Sequence, residues 1–219
     1  MSGSTYSSAL ELAAAVVLLA AVVTLWRRSL RAIVRSLAVQ GVALATVAGV
    51  LGLHRHDAGL LVVGALVLSA KAVVIPLLVT RVLRTDAGSR ETEPLVNVPA
   101  SLVSAGALMF LAFAAARSVT VLVPTTAGHA IPLGLAAMLV GFFALVTRRK
   151  AVSQIVGVLL VDNGVALVAF LATSGVPLLV ELGASLDVLL AVIVLQVLAL
   201  QLRSRLGPFD LDQLRELHD

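Results

Sequence analysis

Four ionisable side chains lie inside long apolar runs of this sequence: Lys71, Asp162, Glu181 and Asp187. A charge at the centre of a lipid bilayer costs about 2.5–3.5 kcal/mol on insertion scales, so such residues face a protein interior or water. Carboxyl and amino groups held in an apolar environment are also the groups that proteins use to pass protons. These residues therefore indicate either proton transfer or ion pairing within a membrane.

Two interpretations of these residues stay open. In the first, Asp162 and Asp187 form a proton relay that Lys71 modulates. Glu181 then either serves the proton exit or is a solvated group in the first turn of its helix. In the second interpretation, Lys71 and one aspartate form an ion pair that locks neighbouring helices together. Because a pair that opens and closes is one way to gate a relay, the two interpretations are compatible.

Uncharged polar residues near these charges fit both interpretations. Asn163, directly after Asp162, can hydrogen-bond across helices, and Gly164 permits close helix approach or local distortion. Gln40 and Gln154 are interpreted as hydrogen-bond partners between helices rather than as ligands of a transported ion. We expect Asn163 and Gln154 to support the ionisable residues.

The composition is typical of a membrane protein. Of the 219 residues, 60% are hydrophobic and 13% are charged, and the mean hydropathy is +1.08. A water-soluble core of this length would need far more polar surface. Several apolar runs exceed the roughly 20 residues that cross a bilayer, and helices satisfy their backbone hydrogen bonds within one such segment. The predicted fold class is an all-α, polytopic transmembrane bundle.

Seven spans are predicted. The first apolar run is interpreted as a retained span and not as a signal peptide, because no basic segment precedes it. We predict a four-span N-terminal part over 8–119, a three-span C-terminal part over 129–202 and a tail over 203–219. The seven spans cover 8–26, 32–53, 58–83, 97–119, 129–147, 151–173 and 177–202.

The basic residues predict the orientation of these spans. Thirteen of the 16 lysines and arginines fall in or next to the first, third and fifth connections or in the tail, which lie on one side of the membrane. Only Arg55 and Arg117 fall on the other side. This excess predicts an N-terminus outside and a C-terminus in the cytoplasm, in a cell membrane. The net charge of +4 is thus explained by topology and does not indicate a nucleic-acid partner.

Three of the ionisable residues fall at similar depths in this arrangement. At a rise of about 1.5 Å per residue, Asp162 and Asp187 lie about 16 and 15 Å from the outer ends of their helices. Lys71 lies about 20 Å from the outer end of its own helix. Pro76 cannot donate a helical hydrogen bond, which predicts a kink just beyond Lys71.

Cofactor chemistry is not expected in this chain. It contains no cysteine, which excludes iron–sulfur clusters, thiolate metal sites and disulfides. None of its four histidines forms a helical pair with a carboxylate that would indicate a metal site. We therefore expect no cofactor and no metal ion, and we place any redox chemistry in another subunit.

Three stretches of the sequence resemble motifs of a known family. They are "RRKAVSQIVGVLLVDNG" at 148–164, "PLLVELGASLDV" at 177–188 and "KAVVIPLLVTR" at 71–81. The family is that of the membrane component E of hydrogenase-4 and formate hydrogenlyase-type complexes. The resemblance covers most of the chain, and its specific part is C-terminal.

This resemblance implies a place in a larger complex. The implied partners are antiporter-like membrane subunits, a complex-I-type anchor subunit and a peripheral nickel–iron hydrogenase or related redox subunit. The last three spans resemble the K-type subunit of complex I and the C-type subunit of cation antiporters, where carboxylates on consecutive helices link proton paths. By this resemblance Asp162 and Asp187 occupy those positions, although Asp162 stands where the family has glutamate.

Two functional hypotheses follow for the chain. In the first it is a non-catalytic membrane subunit of an oxidoreductase complex and contributes to proton translocation through its intramembrane carboxylates. In the second it is a non-conducting scaffold that links the antiporter-like subunits to the redox arm.

Overall fold

The computed structural model describes residues 3–27, 29–85, 96–148 and 151–173. They all belong to one compact unit, Met1–Ser185, and the second unit, Leu186–Asp219, lies outside them. A π-helical segment, Leu68–Val74, joins α3 to α4, and a short 3₁₀ turn, Gly128–Ala130, leads into α6. The α-helices of the described residues are α1 (Gly3–Trp26), α2 (Leu30–Arg55), α3 (Ala58–Val67), α4 (Ile75–Thr85), α5 (Val98–Leu122), α6 (Ile131–Thr147) and α7 (Ala151–Thr173).

Six helical spans within these residues are long and apolar enough to cross a membrane, with α3, the π-helical segment and the start of α4 forming one of them. The predicted helical, multi-pass membrane class is therefore confirmed. The first six predicted spans are present, and the span at 151–173 has the bounds predicted from the sequence. The seventh span, at 177–202, lies outside the described residues, and the orientation in the membrane stays a prediction.

Polar side chains cap two of the helices at their N-termini, where backbone N–H groups have no partner within the helix. Asn97 accepts a hydrogen bond from the Ala100 amide at 3.1 Å, and Pro99 occupies the first turn of α5, where its missing N–H costs little. Asp57 accepts one from the Gly59 amide at 2.8 Å at the start of α3. The Asn97 carboxamide and the Asp57 carboxylate therefore mark the starts of the apolar helices α5 and α3.

Among the described helices, the most extensive contact joins α6 to α7. Glycines allow it, because a Cβ atom on Gly157 would come within 2.5 Å of the Leu145 Cα, and one on Gly141 within 2.6 Å of the Val161 nitrogen. Such distances are closer than any side chain tolerates, so these backbones touch directly. Small residues give apolar helices in lipid the close packing that replaces a hydrophobic driving force.

The α1–α2 pair packs against the α6–α7 pair, with α1 on α6 and α2 on α7. The predicted N-terminal and C-terminal parts are therefore in contact within the described residues, although their division into two parts stays a prediction. The helix α5 lies at the edge, on α6 and α1, and turns large apolar side chains such as Phe110 and Val121 outward. This is the surface that a bilayer-spanning bundle presents to lipid.

Candidate functional site

The site is built around Lys71, which lies in the middle of the π-helical segment. Here the Ile75 amide donates to the Ala70 carbonyl, five residues back instead of four. Pro76 follows immediately and has no N–H to give. The sequence predicted a kink just beyond Lys71, and the structure instead places the irregularity around it, as a widened helical turn. The Lys71 side chain is 4% exposed.

Lys71 and Asp162 form an ion pair between the π-helical segment and α7. The Lys71 Nζ atom lies 2.6 Å from the Asp162 Oδ2 atom, and their side chains are 4% and 10% exposed. The two residues are 91 positions apart in the sequence. A buried ammonium beside a buried carboxylate neutralises two charges that would each be costly alone. The aspartate within the apolar run of α7 is therefore paired.

A chain of side-chain amides continues from this pair into the bundle. The Lys71 Nζ donates a second hydrogen bond, of 3.1 Å, to the Asn163 Oδ1. The Asn163 Nδ2 donates to the Gln40 Oε1 at 2.8 Å, and the Gln40 Nε2 donates to the Val17 carbonyl at 3.0 Å. Gln40 is fully buried and Asn163 is 4% exposed. Four elements, α1, α2, the π-helical segment and α7, thus share one polar chain.

Gln154, another predicted site residue, lies away from the ion pair. Gln154 lies eight residues before Asp162, about 12 Å along α7, and its Nε2 donates to the Arg148 carbonyl at 3.1 Å. It therefore braces the α6–α7 turn and does not touch the ion pair. Asp187 and Glu181 lie outside the described residues, so their place relative to Lys71 stays a prediction.

Two features of the site were not assigned to it from the sequence. Gln40 was expected to hydrogen-bond between helices, but its connection to Lys71 through Asn163 was not predicted. The backbone of Gly41 lies against Lys71, so that α2 and the π-helical segment approach closely. The available signal was the pair Gln40–Gly41 itself, which combines a polar residue and the smallest residue inside an apolar run.

Across 3–27, 29–85, 96–148 and 151–173, no three histidine, aspartate or glutamate side chains cluster closely enough to hold a metal ion. The Lys71 amine and the Asp162 carboxyl can exchange a proton directly, because they share a short hydrogen bond. The two amides beyond them can orient the lysine but, as neutral groups, carry no charge themselves.

A second buried cation marks the ends of α1 and α6. The Arg148 side chain is 5% exposed, and its Nη2 donates to the Thr24 carbonyl at 2.9 Å. Burial lowers the pKa of the Arg148 guanidinium from its ordinary value, which is so high that the group remains charged at neutral pH. Because it fastens the C-terminal ends of α1 and α6 together, both ends lie on the same side of the bundle, as the predicted topology requires.

A mycobacterial protein matches the whole chain. The uncharacterized protein Rv0085 of Mycobacterium tuberculosis (strain ATCC 25618 / H37Rv) is 47% identical over 220 residues, which cover 100% of both chains. The chain belongs to the Rv0085 family. No protein-family model matches the sequence, and no solved structure matches it.

The Rv0085-family chain is also similar to a named hydrogenase component of enterobacteria. Hydrogenase-4 component E of Escherichia coli (strain K12) is 28% identical over 147 residues, which cover 67% of this chain and 68% of the component. Hydrogenase-4 component E of Shigella flexneri shows the same identity and coverage. This likeness is more distant than the one to Rv0085, and it agrees with the resemblance noted in the sequence motifs.

Proposed function

We propose that this chain is a non-catalytic membrane subunit of a complex-I-related, hydrogenase-4-like redox complex in the cell membrane, and that it contributes to proton translocation. Its similarity to hydrogenase-4 component E supports membership of such a complex. Its partners would be antiporter-like membrane subunits, a complex-I-type anchor subunit and a peripheral nickel–iron hydrogenase or related redox subunit. The chain itself would need no cofactor.

The observation that carries the proton-transfer proposal is the 2.6 Å contact between the Lys71 Nζ and the Asp162 Oδ2, inside a bundle of apolar helices. A proton that reaches this site forms an O–H bond on the Asp162 carboxylate and leaves Lys71 as an unneutralised cation. When the proton moves on to a next acceptor, the O–H bond breaks and the Asp162 carboxylate pairs with Lys71 again. We propose Asp187 as that acceptor and Glu181 as a group near the exit.

The decisive experiment compares Asp162→Asn with the wild-type chain in its own complex. Inverted membrane vesicles are supplied with hydrogen or formate as electron donor, and proton uptake is followed by a pH-sensitive dye. We expect Asp162→Asn to abolish proton uptake while native gels show an assembled complex, because an amide cannot take up the proton. Proton uptake at the wild-type rate in an assembled Asp162→Asn complex would overturn the proposal.

Glu11→Gln is the matched control for this experiment. Glu11 is an exposed carboxylate near the start of α1, in the same bundle but away from the polar chain. Its conversion to an amide removes the same charge, and we expect proton uptake to be unchanged. A loss of uptake in both variants would indicate a general effect of charge and would count against a specific role of Asp162.

A second candidate function is that of a non-conducting scaffold. The polar chain from Asp162 to the Val17 carbonyl supports this candidate, because it connects four elements of the bundle and would hold a fixed docking surface for neighbouring subunits. A scaffold needs the stability that this polar chain of side chains provides, but it does not need the charges of Lys71 and Asp162. Replacing the ion pair by apolar residues therefore separates the two candidates.

A further inference from the structure

The polar chain that begins at Lys71 ends at a group that can only accept a hydrogen bond. The Val17 carbonyl has no hydrogen and can only accept, so Gln40 must turn its Nε2 toward it, at 3.0 Å. The Gln40 Oε1 then faces Asn163 and requires the Asn163 Nδ2 as its donor, at 2.8 Å. As a result the Asn163 Oδ1 is the atom that faces the Lys71 ammonium.

The opposite end of the chain imposes the same direction. An ammonium can only donate, so Lys71 also requires an oxygen from Asn163. Turning both amides around would place oxygen against the Val17 carbonyl and nitrogen against the Lys71 ammonium. Turning only one amide would break the Gln40–Asn163 hydrogen bond together with the bond from the turned amide to its other partner. The observed orientation is the one in which all three bonds of this buried chain are made, and leaving a buried polar group unpaired is costly.

We infer that Gln40 is a positioning residue that acts through Asn163 to keep an acceptor on the Lys71 Nζ whether or not Asp162 carries a proton. This inference rests on the proposed function, because it concerns the same proton-transfer site. Gln40 touches neither Lys71 nor Asp162 through the hydrogen bonds described, and its whole effect passes through the orientation of one amide.

The fixed acceptor withdraws one N–H bond of Lys71 from proton transfer. That bond is committed to the Asn163 Oδ1 in every state. The N–H bond that faces Asp162 can exchange its proton with the carboxylate. When that bond breaks and an O–H bond forms on the Asp162 carboxylate, a neutral amine stands beside a neutral carboxylic acid and total charge is conserved. The reverse transfer restores the ion pair. The two amides are neutral and are hydrogen-bonded in one direction, so they do not themselves carry a proton from this pair toward α1.

The test uses the two lysines of the chain, Lys71 and Lys150. The full-length protein is labelled with ¹⁵N-lysine and placed in lipid nanodiscs, and Lys150→Arg identifies the Lys71 signal. Hydrogen exchange of the Lys71 ammonium is then measured in wild type and in Gln40→Met, a side chain of similar length without hydrogen-bonding groups. We expect exchange to become about tenfold faster in Gln40→Met, which corresponds to the loss of about one hydrogen bond.

Two further variants separate positioning from general damage. Thr46→Val removes an exposed hydroxyl from the same helix, where it bonds only its own turn, and we expect it to leave Lys71 exchange unchanged. The combined exchange Gln40→Asn with Asn163→Gln moves one methylene group from α2 to α7 and keeps the length of the chain. We expect this combination to restore the wild-type exchange rate, which a purely structural loss would not allow.

The inference is overturned if Gln40→Met folds with native helix content and leaves Lys71 exchange unchanged. If Gln40→Met does not fold, the combined variant decides alone: wild-type exchange supports the inference, and fast exchange or a failure to fold overturns it. The measurement needs no partner subunit and no proton flux. Proton uptake that survives Asp162→Asn would therefore defeat the proposed function without touching this result.

Discussion

The backbone of Gly41 lies against the peptide bond that follows Lys71. A Cβ atom at position 41 would come within 2.6 Å of the Lys71 carbonyl carbon and 2.8 Å of the Lys71 oxygen. Both neighbours are backbone atoms, which cannot rotate away as a flexible side chain can. The separation between α2 and the π-helical segment is therefore set by the absence of a side chain at position 41. Gln40, the adjacent residue, accepts a hydrogen bond from Asn163 on α7.

We predict that Gly41→Ala lowers the free energy of unfolding by about 1–3 kcal/mol, because the added methyl group forces two backbones apart. The measurement is thermal or denaturant unfolding of the full-length chain in detergent or nanodiscs. Gly49→Ala on the same helix is the matched control, since a Cβ there meets nothing within 4 Å. We expect that variant to be neutral or up to about 1 kcal/mol more stable, because alanine favours helix over glycine. Equal effects at both positions would contradict the close contact.

The ion pair predicts that the effects of substituting Lys71 and Asp162 on the free energy of unfolding do not add. Lys71→Met alone and Asp162→Leu alone should each lower the free energy of unfolding by about 3–5 kcal/mol, since each leaves one buried charge without its counterion. The double variant should recover most of that loss, because a well-packed apolar pair replaces a desolvated ionic one at little cost. Unfolding of the four proteins under identical conditions gives the coupling. If the single effects simply add, the two groups are not paired.

The same double variant separates the two candidate functions. Under the proton-transfer proposal, Lys71→Met with Asp162→Leu should assemble with its partners and move no protons, because no titratable group remains at the site. Under the scaffold candidate, assembly and proton movement should both persist. Native gels report assembly, and dye quenching in inverted vesicles reports proton movement. Proton movement at the wild-type rate in the assembled double variant would favour the scaffold.

Packing between α6 and α7 makes Gly157 a sensitive position. Its added Cβ would lie 2.5 Å from the Leu145 Cα, so Gly157→Ala should lower the free energy of unfolding by about 1–3 kcal/mol. Gly106→Ala on α5 provides the comparison, since a Cβ there meets nothing within 4 Å. Thermal unfolding should distinguish the two clearly. Tolerance of Gly157→Ala without loss of stability would mean that α6 and α7 lie further apart than described.

The absence of cysteine makes the predicted orientation directly testable. Ser29 lies in the α1–α2 connection and Thr126 in the α5–α6 connection, and both are exposed. In intact cells, a membrane-impermeant maleimide should label Thr126→Cys and leave Ser29→Cys unlabelled until the cells are opened. The prediction follows from the excess of basic residues in the connections on the Ser29 side. The reverse labelling pattern would invert the topology.

Hydropathy alone located the described spans well, because the length of an apolar run is set by the thickness of the membrane that it must cross. The span at 151–173 was predicted with the bounds that the structure shows. Lys71 and Asp162 could be singled out for the same reason, since an ionisable side chain within such a run is conspicuous. Similar estimated depths predicted that the two would lie near one plane.

Contacts across the bundle could not be predicted in this way. Gln40 and Asn163 lie 123 residues apart, and their hydrogen bond depends on which faces of α2 and α7 meet. Runs that are apolar on all sides carry almost no periodic signal, so the sequence does not say which face is turned inward. The π-helical turn around Lys71 was likewise expected only as a kink, because Pro76 indicates a disturbed hydrogen bond but not its form.

The π-helical segment between α3 and α4 holds one residue more than an α-helix would. The Ala70 carbonyl is paired with the Ile75 amide, five residues on, so the widened turn absorbs this surplus residue. Deleting one residue in 68–74 would let the turn tighten to an α-helix and would leave α3 and α4 in nearly their present orientation. The same deletion in the regular part of α2 would swivel the portions on either side by about 100° relative to each other. The segment that carries Lys71 can therefore change its length by one residue without turning the faces of the helices that flank it.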